Sequence, residues 1–100
     1  MNTVIKDWCL VDVNDDGILI GSVLWGIVVD DSSIRYLVND YVCTSRITKV
    51  YQQLITTSSN SLYQLIGKGS HASIEFEDFE LLRNGFNLQQ INELRNSKLH

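Results

Sequence analysis

Oxygen-bearing side chains recur at alternate positions near the start of the chain, at Asp12, Asn14 and Asp16, and Gly17 follows them. Oxygens at the first, third and fifth positions with a glycine at the sixth are typical of a calcium-binding EF-hand loop. The twelfth position of such a loop carries a glutamate, but here it is Val23, and the flanking residues favour strands. We therefore interpret this segment as an acidic hairpin turn, and we expect no metal and no other cofactor.

Catalytic residue types are sparse. The two histidines are His71 and His100, so a Cys–His or Ser–His pair would use His71 with Cys43 or Ser45 as the nucleophile. Nothing in the spacing supports such a pair. The Gly67–His71 segment lacks the spacing of a phosphate-binding P-loop and is interpreted as a connection between strand and helix. These patterns indicate that the protein is not an enzyme.

The charge balance argues against nucleic-acid and membrane partners. Twelve acidic and eight basic side chains give a net charge of −4, and no stretch is rich in Lys or Arg. Phosphate-bearing surfaces attract basic patches, so neither nucleic acids nor anionic membranes are expected partners. The two predicted helices on either side of Gly85 are similar to a helix-turn-helix. A DNA-recognition helix carries several cations, whereas Arg95 is the only cation of the second predicted helix before its terminal residues.

The composition, 44% hydrophobic and 20% charged, is that of one folded domain over residues 1–100. The start has no signal-peptide pattern, and the longest apolar run, residues 18–29, is too short to cross a bilayer. We expect a cytoplasmic protein in which Cys9 and Cys43 stay reduced.

The period of the hydrophobic pattern changes once along the chain. From about residue 7 to residue 69, alternating residues separated by turn formers predict strands. The predicted strands are residues 7–13, 18–29, 34–38, 41–52, 54–57 and 61–66, with turns at 14–17 and 30–33. Because the connections are short, we expect an antiparallel meander, twisted like half of an open barrel.

From about residue 73 to residue 97 the spacing predicts two short helices. Ser73 would cap the first helix, and Gly85 would end it. Asn87 and Gln90 would form a capping box for the second. The predicted fold class is α+β: an antiparallel sheet of five or six strands, covered by two carboxyl-terminal helices.

Three stretches form a wider pattern: Trp-Cys-Leu-Val at 8–11, Thr-Ser-Arg-Ile at 44–47, and Asn-Ser-Leu-Tyr-Gln-Leu-Ile-Gly-Lys-Gly at 60–69. They resemble a family of small uncharacterised bacterial and phage proteins. The resemblance covers the strand-rich part of the chain and brings no known activity. It implies a small accessory protein, from a population that includes toxin-neutralising immunity proteins and inhibitors of host defence.

We expect a non-enzymatic protein-binding module, most specifically an immunity protein that occludes the basic active site of a bacterial toxin. The two acidic turns and the acidic helix start would steer such a partner if they lie on one side. The predicted partner-binding residues are Asp30, Asp31, Tyr36, Asp40, Tyr41 and Tyr51.

Two alternatives stay open. A phage-encoded inhibitor of a host defence complex would have the same sequence features. A small-ligand-binding domain would use the mouth of the sheet, lined by Trp8, Trp25 and His71. Edge strands in so small a sheet also leave a homodimer open.

Overall fold

A long hairpin forms the centre of the molecule. In the computed structural model, which describes residues 2–32 and 34–98, strand β1 (Asn2–Asp15) pairs antiparallel with strand β2 (Ile18–Asp31). Asp16 and Gly17 join them with φ angles of 52° and 82°. Two successive positive φ angles are typical of a tight hairpin turn. The predicted hairpin is confirmed, although β1 begins at Asn2 rather than at residue 7.

Strand β1 changes face at a bulge. Its register with β2 shifts between Lys6 and Cys9, and Asp7 has a φ of 50°. Ile5 packs in one hydrophobic cluster, whereas Cys9 and Val11 pack in another. An extra residue reverses the side on which the following side chains lie. One strand therefore contributes to two cores on opposite faces of the sheet.

Two short strands, arranged end to end, pair with the second edge of β1. Strand β6 (Leu62–Leu65) pairs in parallel with the first part of β1, and β7 (Ser70–Glu75) pairs in parallel with the second part. The remaining strands are β3 (Tyr41–Cys43), β4 (Ile47–Tyr51) and β5 (Leu54–Thr57). Over the described residues the sheet order is β3-β2-β1-β6-β5-β4, with β7 also beside β1, and the sheet is not closed.

The predicted all-antiparallel meander is therefore wrong, and the sheet is mixed. Short connections predict that each strand pairs with the next, but β6 pairs with β1 although four strands, β2 to β5, lie between them in the sequence. The reason is the length of β1, whose fourteen residues have room for a four-residue and a six-residue neighbour on one edge. The other pairs in the sheet are antiparallel.

Two predicted strands differ from the structure. Residues 34–38 form a loop, because the Asp31 carboxylate accepts the backbone N–H groups of Arg35 at 2.8 Å and Tyr36 at 2.9 Å. The predicted strand 41–52 divides into β3 and β4 at Thr44, whose Oγ1 accepts the Leu24 N–H at 3.0 Å. Ser33, in the predicted turn at 30–33, lies outside the described residues.

The first predicted helix begins later than expected. Ser73 lies in β7, in register with Asp12 of β1, and helical structure starts with a 3₁₀ turn at Phe76–Asp78. Helix α1 (Phe79–Arg83) follows. Parallel pairing with β1 satisfies the backbone of this segment, and Ile74 is buried in the second core. A long-range pairing thus overrides the local helix signal.

The end of the chain agrees with its sequence pattern. Gly85, with a φ of 101°, ends α1 as predicted. Asn87 Oδ1 accepts the Gln90 N–H at 2.9 Å, and Gln90 Oε1 accepts the Asn87 N–H at 2.9 Å, which confirms the capping box of helix α2 (Leu88–Lys98). His100 lies outside the described residues.

Two cores hold the sheet. Strands β4–β6 curl over one face of the hairpin and enclose the first core, which includes Ile5, Leu24 and Ile55. The helices cover the opposite face through Leu82 and Ile91, which complete the second core. The prediction that two carboxyl-terminal helices cover one face of the sheet is confirmed.

Candidate protein-binding surface

The hairpin turn and the start of the helical end lie side by side. Because β7 runs parallel to β1, its last residue, Glu75, is level with Asn14. Asp15, Asp16, Glu75, Phe76 and Glu77 line one shallow hollow of about 290 Å³. The Phe76 side chain is 51% exposed. We call Asp15, Asp16, Glu75 and Phe76 the acidic surface.

Three carboxylates of this region are unpaired. Those of Asp15, Asp16 and Glu75 have no ion-pair partner within the part of the chain that the structure describes. Glu77 differs, because Arg95 Nη2 lies 2.6 Å from Glu77 Oε1 and 2.8 Å from Oδ2 of the buried Asp78. The acidic surface therefore has three negative charges available to a basic partner.

Arg95 is held in place by these contacts. Its Nε also donates to Asp78 Oδ2 at 2.8 Å. The hydrogen bond to Asp78, and next that to Glu77, raise the pKa of the Arg95 guanidinium. The cation considered for a helix-turn-helix interpretation is thus bound to the protein's own carboxylates and fixes α2 to the 3₁₀ turn.

Two of the predicted binding aspartates stabilise the loop between β2 and β3. Asp31 accepts a hydrogen bond from Thr3 Oγ1 at 2.9 Å besides the backbone groups already described. Asp40 Oδ2 accepts the Leu37 N–H at 3.0 Å. Asp30 is exposed. Two of the three carboxylates thus bind backbone groups of their own loop.

The predicted binding tyrosines lie in three environments. Tyr36 is half-buried against the first core, and burial, followed by its contact with Tyr63, raises the pKa of its hydroxyl. Tyr41 stacks on Trp25 with ring centroids 6.5 Å apart, and its hydroxyl donates to the Arg83 carbonyl at 3.0 Å. Tyr51 is exposed on β4. Strands β5, β6 and β1 separate it from β2 in the sheet order.

The three acidic groups of the sequence do not all lie together. The turn at Asp15 and Asp16 meets the acidic start of the helical end, but Asp30 pairs with Val4 at the opposite end of the hairpin. Eleven residues of β1 separate Val4 from Asp15, which corresponds to roughly 35 Å of strand. The negative surface expected from the sequence is formed by two of its three groups.

Asp12 belongs to a polar cluster on the sheet. Its carboxylate accepts a hydrogen bond from Ser22 Oγ at 2.5 Å and lies 2.8 Å from His71 Nε2. In a catalytic triad the histidine lies between serine and carboxylate, whereas here the carboxylate lies between them. This order leaves Ser22 without a histidine base. Among residues 2–32 and 34–98, no group of three or more His, Cys, Asp or Glu side chains could hold a metal ion.

Both cysteines are free thiols in protected environments. Burial raises the pKa of Cys43 to about 11, although Arg83 acts in the opposite direction. Burial also raises the pKa of Cys9. Because the thiolate is the reactive form, both side chains are poor nucleophiles at neutral pH.

The predicted ligand mouth is not assembled. Trp8 packs against the first core and Trp25 against the second, on opposite faces of the sheet. The Trp8 indole lies on Gly69, where a side chain would overlap it, and its Nε1 donates to the Gly67 carbonyl at 3.3 Å. These glycines therefore serve the packing of Trp8, in a connection between two strands rather than between strand and helix.

A second concave site lies beside β2 and was missed by sequence reasoning. A half-open cavity of about 370 Å³ is lined by apolar side chains of β2 and the helical end, by Thr44 and Ser45, and by Arg46 and Arg83. The Arg46 stem lies against Gly21, where an added Cβ would be 2.9 Å from Arg46 Cδ. The signal in the sequence was Gly21, a glycine within a strand, which marks a close approach.

No helix of residues 2–32 and 34–98 has the length and apolar character needed to cross a membrane.

Fold and surface together define a small α+β domain with an open mixed sheet and an acidic, partly aromatic end. Residues 22–81, more than half of the chain, match a family described as a domain of unknown function, DUF6957, and the chain belongs to this family. The prediction of an uncharacterised family is thereby confirmed. No similar curated protein and no similar solved structure was found.

Proposed function

We propose that this protein is a non-enzymatic protein-binding module whose partner presents a basic surface. The observation that carries the proposal is the acidic surface, in which three carboxylates without an ion-pair partner among the described residues line one hollow with an exposed phenylalanine. Unpaired charges accelerate encounter with a partner of opposite charge. An aromatic side chain that becomes buried on contact then slows dissociation.

The more specific form of the proposal is an immunity protein that neutralises a bacterial toxin by direct occlusion. Small size and a net charge of −4 suit a protein that covers a cationic active site. The acidic surface combines charged and apolar side chains in one hollow. The binding residues predicted from the sequence do not lie together in this way. The interface is therefore centred on Glu75 and Phe76 rather than on Asp31 and Tyr41.

A capture experiment with matched charge variants tests the proposal. The immobilised protein, the variant Asp15→Asn/Glu75→Gln and the control Asp7→Asn/Asp30→Asn are exposed to a lysate of the source organism. Both variants lose two negative charges, but the control loses them away from the acidic surface. We expect one stoichiometric basic protein to be retained by the wild type and the control and lost by the first variant. Equal retention by all three proteins would contradict the proposed surface.

The neighbouring genes separate immunity from phage inhibition. A toxin gene directly upstream, whose product kills cells unless this protein is co-expressed, supports immunity. Phage structural genes beside it support an inhibitor of host defence instead.

A small-ligand-binding domain is the second candidate, favoured by the 370 Å³ cavity beside Arg46. Cavities of this volume with a mostly apolar lining and a few polar groups are typical ligand sites. A ligand-dependent rise in melting temperature that the variant Arg46→Met abolishes would support it.

A further inference from the structure

One edge of β2 is apolar and open. Ile18, Leu19 and Ile20 are 68%, 58% and 45% exposed, and they are consecutive. Within the described residues this stretch pairs with β1 alone, because β3 reaches only Trp25 to Ile27 on the other side. Three successive exposed aliphatic residues on an open strand edge are a surface that another strand covers.

The backbone of this edge is directed outward. The Leu24 carbonyl accepts the Thr44 N–H at 2.9 Å, and the Val28 carbonyl accepts the Asn39 N–H at 2.8 Å, both on the side away from β1. Backbone groups alternate between the two sides of a strand, so those of Ser22 point to the same side. At Ser22, β2 pairs with Asp12 of β1 on one side, and no described strand pairs with it on the other side. Ser22 can therefore form a strand pair with another chain.

The two ends of the edge carry opposite charge. Asp16 stands at the hairpin turn, before Ile18. Arg46 lies beside Gly21 and Ser22, which line the same cavities with it, and its guanidinium has no hydrogen-bond or ion-pair partner among the residues described. An antiparallel copy of such an edge brings each acidic end to the basic end of the other chain. A two-fold axis produces this arrangement from two identical surfaces.

We propose that two copies of the chain pair antiparallel through this edge of β2, about a two-fold axis near Leu19. In this arrangement Ile18, Leu19 and Ile20 of one copy lie against the same three residues of the second copy. Asp16, in the hairpin turn, lies toward the end of the second copy's edge that carries Ser22 and Arg46. The pairing buries the apolar triplet and gives Arg46 a carboxylate that the described residues of its own chain do not supply. The occupant is a second copy because its edge is complementary in both charge and apolar character.

Sedimentation equilibrium of the full chain tests the pairing. Over about 10 µM to about 1 mM we expect the mass to rise from the 11.4 kDa of one copy toward twice that value. Leu19→Lys should raise the dimer dissociation constant by at least about tenfold. The control Leu37→Lys replaces an exposed aliphatic residue of the 34–40 loop and should dimerise like the wild type. A wild type that stays monomeric, or a dimer equally stable with Leu19→Lys, would overturn the proposal.

Charge variants test the register. Arg46→Glu places like charges opposite each other and should weaken the dimer by about tenfold. Adding Asp16→Asn to the same chain should restore part of that loss, and asparagine tolerates the positive φ at this position. If the second change restores nothing, the proposed register is wrong.

Hydrogen exchange on the unmodified protein gives a measurement that does not depend on how the variants fold. The Ser22 amide should become more protected as the concentration rises, while the amide of Lys49, an exposed residue of β4, serves as an internal reference. Unchanged Ser22 exchange in a protein that dimerises would place the interface elsewhere. The dimer uses Asp16 of the acidic surface but leaves Asp15 and Glu75 available to a basic partner. Its failure therefore leaves the proposed function standing, and a failed capture leaves the dimer standing.

Discussion

The Asp12 carboxylate has two neighbours that stabilise its charge. The hydrogen bond from Ser22 is the largest cause of its lowered pKa, and His71 acts in the same direction, while partial burial opposes them. A lowered pKa in the folded state means that folding is favoured by the ionised form. The stabilisation that ionised Asp12 gives to the folded state is complete above the ordinary carboxyl pKa of 3.8. It is lost as the pH falls through the lower pKa that Asp12 has in the folded protein.

Ser22→Ala tests this linkage. Removal of the hydroxyl should lower the free energy of unfolding by about 1.5 kcal/mol at pH 7, since a hydrogen bond to a charged acceptor is lost. The difference from the wild type should shrink in acid, below the pKa of the folded carboxyl. Urea unfolding at neutral and acidic pH measures both quantities, with the exposed Ser97→Ala as control. A difference that does not change with pH would show that Ser22 acts through packing instead.

Residue types alone indicated where acidic groups occur but not which of them are engaged. Asp31 was predicted to bind a partner, yet its carboxylate accepts N–H groups four and five residues later. Asp and Asn commonly bond to nearby backbone in this way, so the sequence contained a local signal that was missed. The sequence pattern predicts that Glu75 lies at the start of a helix, whereas its place beside Asp15 depends on strand pairing.

Helix α2 is attached to the rest of the molecule through both apolar and ionic contacts. Ile91 is buried in the second core, and Arg95 bonds to the 3₁₀ turn through Asp78 and Glu77. Because Asp78 is buried and Arg95 is partly covered, this ion pair is better protected from solvent than an exposed pair.

Asp78→Ala should therefore loosen α2. We expect the melting temperature to fall by roughly 5 °C, because the guanidinium loses its most buried partner. The control Arg83→Met removes an exposed ion pair with Glu80 and should lower the melting temperature by less than about 2 °C. Thermal unfolding followed by circular dichroism makes the comparison. Equal shifts would mean that the Asp78 contact has no special role in holding the helix.

At the level of elements, features with local causes were predictable. The hairpin turn, the stop at Gly85 and the capping box at Asn87 depend on residues within four positions of each other. The parallel strand β7 was not predictable in this way, because its hydrogen-bond partner is about sixty residues earlier in the sequence. The acidic residues at the end of β7 match the pattern of the first turn of a helix.

The whole molecule is organised by β1. This strand pairs with β2 along one edge and with β6 and β7 along the other, and its bulge directs side chains into both cores. The same pairing brings the end of β7 to the hairpin turn and so creates the acidic surface. A mixed sheet, which the sequence did not predict, is thus the reason that separate acidic segments meet.

The association rate of the captured partner measures whether the partner binds at the acidic surface. Stopped-flow measurements at about 20 mM and about 200 mM salt compare the wild type with Asp15→Asn/Glu75→Gln and with Asp7→Asn/Asp30→Asn. We expect the first variant to associate on the order of tenfold more slowly than the wild type at low salt, the control to match the wild type, and the difference to shrink at high salt. Equal rates for all three proteins, or equal slowing in both variants, would contradict an interface at the acidic surface.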